Sequence, residues 1–374
     1  MAVRRVHGYG YTSYRGRSGA RTALLIIIAL LLVVLLLSVA VHFVLQKYVV
    51  YTDDGQARVE LPFLAEREPV PTPAPDDPMV LVTEGPMASD DPLATPQPEV
   101  VEQEPLFAVR LPRTALTDGS AAEAVAAAGG NAALFDMKGD DGFLAYVSAL
   151  PEAVNLGTSA ADSRINDGVR ILNDTDLYTV ARISCFRDNR VPRMDNSLAI
   201  RTTGGYNWFD PQDLRWVDPG NPYIQNYLAG VCRELAQLGF DEILLDWAAY
   251  PAEGELNIIR RPEGQTQADR TAALESFYTA VETALADFPE VKLSITARPA
   301  ALAGEVDESG QNSGLLAQFA QRIYVSAGNY AAGLEQAGLG TGQLVLTSAP
   351  EGYSFDVSAP VLPGDTGGIV LPLN

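Results

Sequence analysis

The stretch Gly239-Phe240-Asp241-Glu242-Ile243-Leu244-Leu245-Asp246-Trp247 reads as a helix end, a buried strand, and then an acid beside an indole. A carboxylate next to a tryptophan suits the cleavage or binding of a sugar. The charge serves the anomeric centre and the flat apolar face serves the ring. The same pair also reads as a cap (Asp246) and a core side chain (Trp247). Upstream, Asp136 and Lys138 in Phe135-Asp136-Met137-Lys138 alternate with apolar residues and so share one side of a strand. A lysine close to an aspartate holds that carboxylate ionised, in a catalytic pair or in a structural one. Arg182 is flanked by apolar residues and needs a partner if it faces inward, with Asp136 or Asp246 the natural candidates. Asp188 follows in Phe186-Arg187-Asp188 and could contact a ligand.

Other chemistries are excluded by composition. The two histidines, His7 and His42, lie outside the expected folded domain, and the two cysteines are Cys185 and Cys232. These leave no histidine- or cysteine-based zinc site, no Ser-His-Asp triad and no disulfide framework, so acid–base work falls to carboxylates and no cofactor is expected. The net charge of −21 argues against nucleic acid as a partner.

The elements that must position these residues alternate. Apolar, β-branched runs predict strands over 106–111, 132–137, 179–185, 242–247, 291–297, 322–327, 343–348 and 367–373. Helical patterns lie between them near 120–128, 161–174, 222–238 and 268–287, with weaker ones near 312–320 and 331–336. Pro222 suits a first helical turn, and Gly239 a C-cap. Eight strands in alternation predict an α/β fold, a (β/α)8 TIM-like barrel, with an open doubly wound sheet as the alternative. The second half has short helices and none after strand seven, so the barrel is expected to be incompletely clad there. In such a barrel the carboxyl ends of the strands carry the chemistry, which is where Asp246 falls. All three tryptophans, Trp208, Trp216 and Trp247, lie after strands three and four, with Tyr250 close by. They read as sugar platforms or as a loop packing itself into a small core. Trp216-Val217-Asp218-Pro219 has the look of a structural turn.

Before residue 106 the composition changes twice. Residues 1–22 are basic, with Arg4, Arg5, Arg15, Arg17 and Arg21. Ala23 to Leu45 is an apolar run broken only by Ser38 and His42; at ~1.5 Å per residue it spans roughly 34 Å, enough to cross a bilayer. The flanking charge predicts a cytoplasmic N-terminus and an extracytoplasmic body, a single-pass membrane anchor. Ser38-Val39-Ala40 loosely resembles a cleavage site, which makes a removed leader the rival reading. Residues 46–65 form a juxtamembrane segment with a hairpin expected around Asp53-Asp54-Gly55. Residues 66–105 hold ten prolines and many acids, an extended disordered linker. The barrel domain is assigned to 106–374.

Taken together, several segments resemble a known family. Lys138-Gly139-Asp140-Asp141-Gly142 through Tyr146, Ala181-Arg182-Ile183 to Phe186-Arg187-Asp188, Trp216-Val217-Asp218-Pro219, and Gly239-Phe240-Asp241-Glu242-Ile243 with Asp246 are similar in order and spacing to the bacterial "putative glycosyl hydrolase domain" family. The resemblance implies a membrane-anchored, extracytoplasmic, glycoside hydrolase-like barrel with Asp246 as the leading catalytic residue. The chain departs from the family's pattern after strand four. Ala249 stands where the family has an arginine, and polar groups are missing from Leu293-Ser294-Ile295-Thr296 and from Ser326-Ala327-Gly328-Asn329-Tyr330.

The resulting expectation is a glycoside hydrolase acting on a polysaccharide or cell-envelope glycan. Asp246 would be nucleophile or acid and Asp136 its carboxylate partner, with Arg182 and Lys138 tuning charge. Trp208, Trp216, Trp247, Tyr250 and Asp188 would contact substrate. Asp188 and Glu253 are further candidates for the second carboxylate. The alternatives are a glycan-binding module that has lost cleavage and, third, an envelope assembly factor.

Overall fold

The computed structural model describes residues 49–51, 57–59 and 104–371. The basic segment, the apolar run 23–45 and the linker up to residue 103 lie outside these residues. Among the described residues no helix is long and apolar enough to cross a membrane. The chain divides into two compact units, 1–95 and 96–374. In the first, Val49–Tyr51 and Ala57–Val59 pair antiparallel, at the place where a hairpin is expected.

The second unit is a closed barrel of eight parallel strands. They are β1 (Leu106–Leu111), β2 (Ala132–Lys138), β3 (Tyr178–Ser184), β4 (Glu242–Asp246), β5 (Lys292–Thr296), β6 (Arg322–Val325), β7 (Leu344–Leu346) and β8 (Gly368–Leu371). Each pairs with the next, and β8 closes on β1 from Gly368↔Leu106 to Leu371↔Val109. Closure removes the open-sheet alternative, because no strand edge is left to pair.

Period-two alternation sorts each strand into an inward and an outward set. Leu106, Ala108, Ala132, Leu134, Val180, Leu244, Tyr324 and Val345 form the buried barrel interior. Beneath them, at the amino end, Glu242 is fully buried. It is paired with Arg322 at 2.5 Å and accepts the hydroxyls of Tyr178 and Tyr324 at 2.9 and 2.8 Å. One step further along the same inward rows, at the carboxyl end, stand Asp136, Arg182 and Asp246. The strands thus place a structural ion pair at one end and the candidate chemistry at the other.

The cladding is uneven. Helices Pro222–Leu238 and Gln267–Leu285 run 17 and 19 residues on either side of β4. Pro222 begins the first, and Gly239 ends it at φ 101°, a left-handed conformation that glycine adopts without strain. After β5 the helices shorten to Ser313–Phe319 and Ala331–Ala337, and between β7 and β8 there is none. There the loop covers the barrel instead, with Phe355 packed on Phe107 at 5.6 Å between ring centres. Backbone ladders close the barrel even where helices do not cover it.

Candidate active site

Asp246 is the last residue of β4. Its Oδ2 accepts Nε of Arg182 at 2.6 Å and lies 2.5 Å from Nη2 of the same side chain. Its Oδ1 accepts the backbone N–H of Trp247 at 2.9 Å. Trp247 sits at φ 50°, in the left-handed region where a bulky residue is strained by about 1–3 kcal/mol. That turn brings the amide to the carboxylate, and Trp247 lines the adjoining cleft. Strain held at such a point is a mark of a functional site.

Arg182 joins three acids. Its Nη1 donates to Asp136 at 3.0 Å and its Nη2 to Asp140 at 3.2 Å, besides the contacts to Asp246. Burial favours the uncharged guanidine, but Asp246, Asp136 and Asp140 outweigh it and raise the pKa of Arg182 further. Asp136 is also held by Arg110 at 2.6 Å. Burial pushes its carboxyl up, and the combined pull of Arg182 and Arg110 leaves it below the ordinary carboxylate range.

The network continues through Arg187. This side chain reaches Asp140 at 3.1 Å and Asp210 at 2.7 Å, and its guanidinium lies 4.5 Å from the Trp247 ring centre. Asp210 also accepts the indole N–H of Trp216 at 3.0 Å. Burial raises the pKa of Asp210, and its bonds to Trp216, Leu214 and Arg187 bring it below the usual value. Alternating charges therefore run Asp246, Arg182, Asp140, Arg187, Asp210, and the cation at Arg187 fixes the tryptophan beside the carboxylate.

Asp246 opens into a cleft of about 220 Å³ at the carboxyl ends of β4 to β7. Trp216, Trp247, Tyr250, Glu253, Thr296 and Ser326 are among the residues that line it. Glu253 is two-thirds exposed and paired with Arg298 at 2.9 Å. Among the described residues no cluster of three or more His, Cys, Asp or Glu could hold a metal ion. Cys185 and Cys232 are free and buried.

The structure brings Asp246, Arg182 and Asp136 together, and places Trp216, Trp247 and Tyr250 at the cleft. Three expectations are corrected. Lys138 does not pair with Asp136, because the ladder between β2 and β3 slips between these two residues. It is fully buried instead, bonded to the Ser184 carbonyl at 2.7 Å and to Asp188 at 2.8 Å. Asp188 is therefore a buried structural partner rather than a substrate contact. Its Oδ1 accepts the amides of Arg190 and Val191, which sets the turn after β3. Trp208 offers no face to a sugar: it is 1% exposed, donates its indole N–H to the Glu255 carbonyl, and packs edge-on to Trp216. The loop after β3 is thus a small core: Trp216, too, is buried, 4% exposed, and touches the cleft only at its edge.

Sequence reasoning gave no role to Arg110, Asp140, Arg187 or Asp210, although Asp140 and Arg187 stand in the motifs that carry the family resemblance. Arg110 had a signal, since it continues the inward row Leu106, Ala108. The other three lie in loops, where no period tells which way a side chain points.

Similarity to solved structures is distant. A hypothetical protein from Ruminiclostridium thermocellum aligns at 24% identity and TM-score 0.43, over 50% of this chain and 96% of that one. An α-galactosidase from Thermus thermophilus aligns at 14% identity and TM-score 0.39, over 64% and 46%. The α-galactosidase AgaA from Geobacillus stearothermophilus aligns at 10% identity and TM-score 0.44, over 69% and 37%. The chain spans less than half the length of each of these two galactosidase chains. No curated protein matches it. The family model described as "Putative glycosyl hydrolase domain" matches residues 118–330, more than half of the chain and all of the strands that carry Asp136, Arg182 and Asp246, and the chain belongs to that family.

Proposed function

We propose that this protein is a glycoside hydrolase that acts on a polysaccharide, with Asp246 as the group that attacks or stabilises the anomeric carbon. The observation that carries this reading is the Asp246 carboxylate. It stands at the carboxyl end of β4, is gripped by Arg182 and the Trp247 amide, and opens into a cleft with an indole beside it. Glycoside hydrolysis needs a second carboxyl group that can give up a proton to the leaving oxygen. Three acids line the cleft: Asp210, Asp246 and Glu253. Burial raises the Asp210 carboxyl, but its bonds to Trp216, Leu214 and Arg187 bring it below the ordinary range, which disfavours it as a proton donor. Asp136 is likewise held below the ordinary range, so its role is to position Arg182. Glu253 is left as the general acid; its tie to Arg298 is solvent-exposed and weak.

The deciding experiment is reducing-end release by the purified protein on a panel of cell-wall and plant polysaccharides, with Asp246→Asn alongside. Release that is abolished by the substitution supports the proposal. Release that persists in Asp246→Asn rejects Asp246 as the catalytic carboxylate.

A second reading has its own observation. The ends of β5, β6 and β7 bring Thr296, Ser326 and Thr347 to the cleft and no carboxylate. A folded protein that binds a glycan without turnover, more weakly after Trp247→Ala but not after Asp246→Asn, is a binding module. We also propose that 23–45 anchors the domain outside the cell. The arginines before this run and the acidic chain after it support that topology. Protease accessibility of the barrel in intact cells tests it.

A further inference from the structure

A second and larger cavity, about 640 Å³, lies next to the Asp246 cleft, and Tyr250 and Pro251 wall both. Its other walls come from the loops after β3, β4 and β5 and from the first turn of helix Gln267–Leu285. Four arginines line it: Arg201, Arg260, Arg261 and Arg270. Four acids, Asp218, Glu263, Asp269 and Glu308, line it as well, so its formal charge is balanced where the chain as a whole carries −21.

The acids are not matched one to one with the arginines. The Glu308 carboxylate is shared by Arg261 at 2.6 Å and Arg270 at 3.0 Å. Asp269 also lines the cavity, but its carboxylate caps the helix by accepting the amide and hydroxyl of Thr266. Asp218 accepts the Gly220 amide, and burial pushes its pKa up. Glu263, at the edge, is exposed and takes no part in an ion pair among the described residues. Neither Arg201 nor Arg260 has a carboxylate partner among the described residues. Arg270 is 6% exposed, and its Nε and that of Arg201 are buried without a hydrogen-bond partner. Those two Nε atoms are enclosed by protein; the arginines that keep exposed surface here are Arg260, which is exposed, and Arg201 and Arg261, which are half-buried. The Tyr250 hydroxyl has no protein partner among the described residues. It reaches to 2.9 Å from where a β-carbon on Gly220 would stand, so glycine there keeps the space open.

We propose that this cavity seats the anionic group of an acidic sugar residue, a carboxylate, sulfate or phosphate carried on the ring, adjacent to the residue presented to Asp246. The arginines bind the anion, the Tyr250 hydroxyl meets the ring, and the glycan recognised is an acidic one. This rests on the glycan reading of the neighbouring cleft.

The test is calorimetric titration of the full chain with oligosaccharides of equal length: a hexuronate oligomer, a sulfated one, a phosphorylated one and a neutral one, with inorganic sulfate and phosphate as separate arms. The double variant Arg260→Gln/Arg261→Gln changes loop positions that are exposed or half-buried, and circular dichroism confirms its fold. One acidic oligomer should bind at least about tenfold tighter than the neutral one, the scale of one or two charge-assisted hydrogen bonds. The preferred oligomer identifies the group. The double variant and added salt should each remove most of that preference, and Asp246→Asn should leave it intact. Equal affinity for acidic and neutral oligomers, binding of inorganic anions alone, or a preference unchanged in the double variant each overturns the proposal. If the acid preference holds while Asp246→Asn has no effect on hydrolysis, only the hydrolase reading falls.

Discussion

Arg182 meets Asp246 with two nitrogens on one oxygen, Nε at 2.6 Å and Nη2 at 2.5 Å from Oδ2, while its remaining nitrogen holds Asp136. One guanidinium thus fixes both carboxylates that alternation brings to the top of the barrel. Arg182→Lys keeps the charge but loses the fork, and kcat/KM should fall about 10²-fold, the cost of a misplaced catalytic group. Arg182→Met takes a partner from two half-buried acids, of which Asp136 keeps Arg110, and should destabilise the fold by less than the about 3–5 kcal/mol of a fully buried broken pair. Kinetics and denaturant unfolding on the same samples separate the two effects.

Glu253→Gln should cut turnover most where the leaving group is poor. An aryl glycoside with an acidic leaving phenol needs little protonation, so its rate should change less than about threefold, against about 10²-fold for a natural oligosaccharide. Equal losses on both substrates would remove Glu253 from the role of general acid.

The two tryptophans should part company. Trp208 is enclosed, so Trp208→Ala should cost about 3–5 kcal/mol of stability, read by thermal unfolding. Trp247 is half-buried at the cleft, held under Arg187. Trp247→Ala should weaken glycan binding about tenfold with a smaller loss of stability.

Asp136 makes stability depend on acidity. Its native pKa lies below the ordinary 3.8, so its contribution is complete above that value and is lost as pH falls through the lowered native one. The stability difference between wild type and Asp136→Asn should therefore be full near pH 7 and shrink below about pH 3.8. Urea unfolding across that range measures it.

At the opposite end, Glu242 and Arg322 form the buried pair that closes the barrel floor. Arg322→Met leaves a buried acid unpaired and should cost about 3–5 kcal/mol. Activity per folded molecule should not change, because this face of a barrel carries stability rather than chemistry.

Much of this was present in the chain itself. Local hydrophobic runs dictate the eight strands, and their period of two sets Asp136, Arg182 and Asp246 on inward rows. Pro222 and Gly239 bound the helix before β4. These are short-range effects, so residue order suffices. Tertiary structure decided the rest. The slip between β2 and β3 parts Lys138 from Asp136 and buries it on Asp188, and a register shift belongs to two strands at once. Whether Trp208 turned inward depended on Glu255, 47 residues away. The loop residues Asp140, Arg187 and Asp210 met only when two loops folded over one barrel end. Closure of β8 on β1 joined the first strand of the domain to the last, a pairing that hydrophobic patterning alone does not specify.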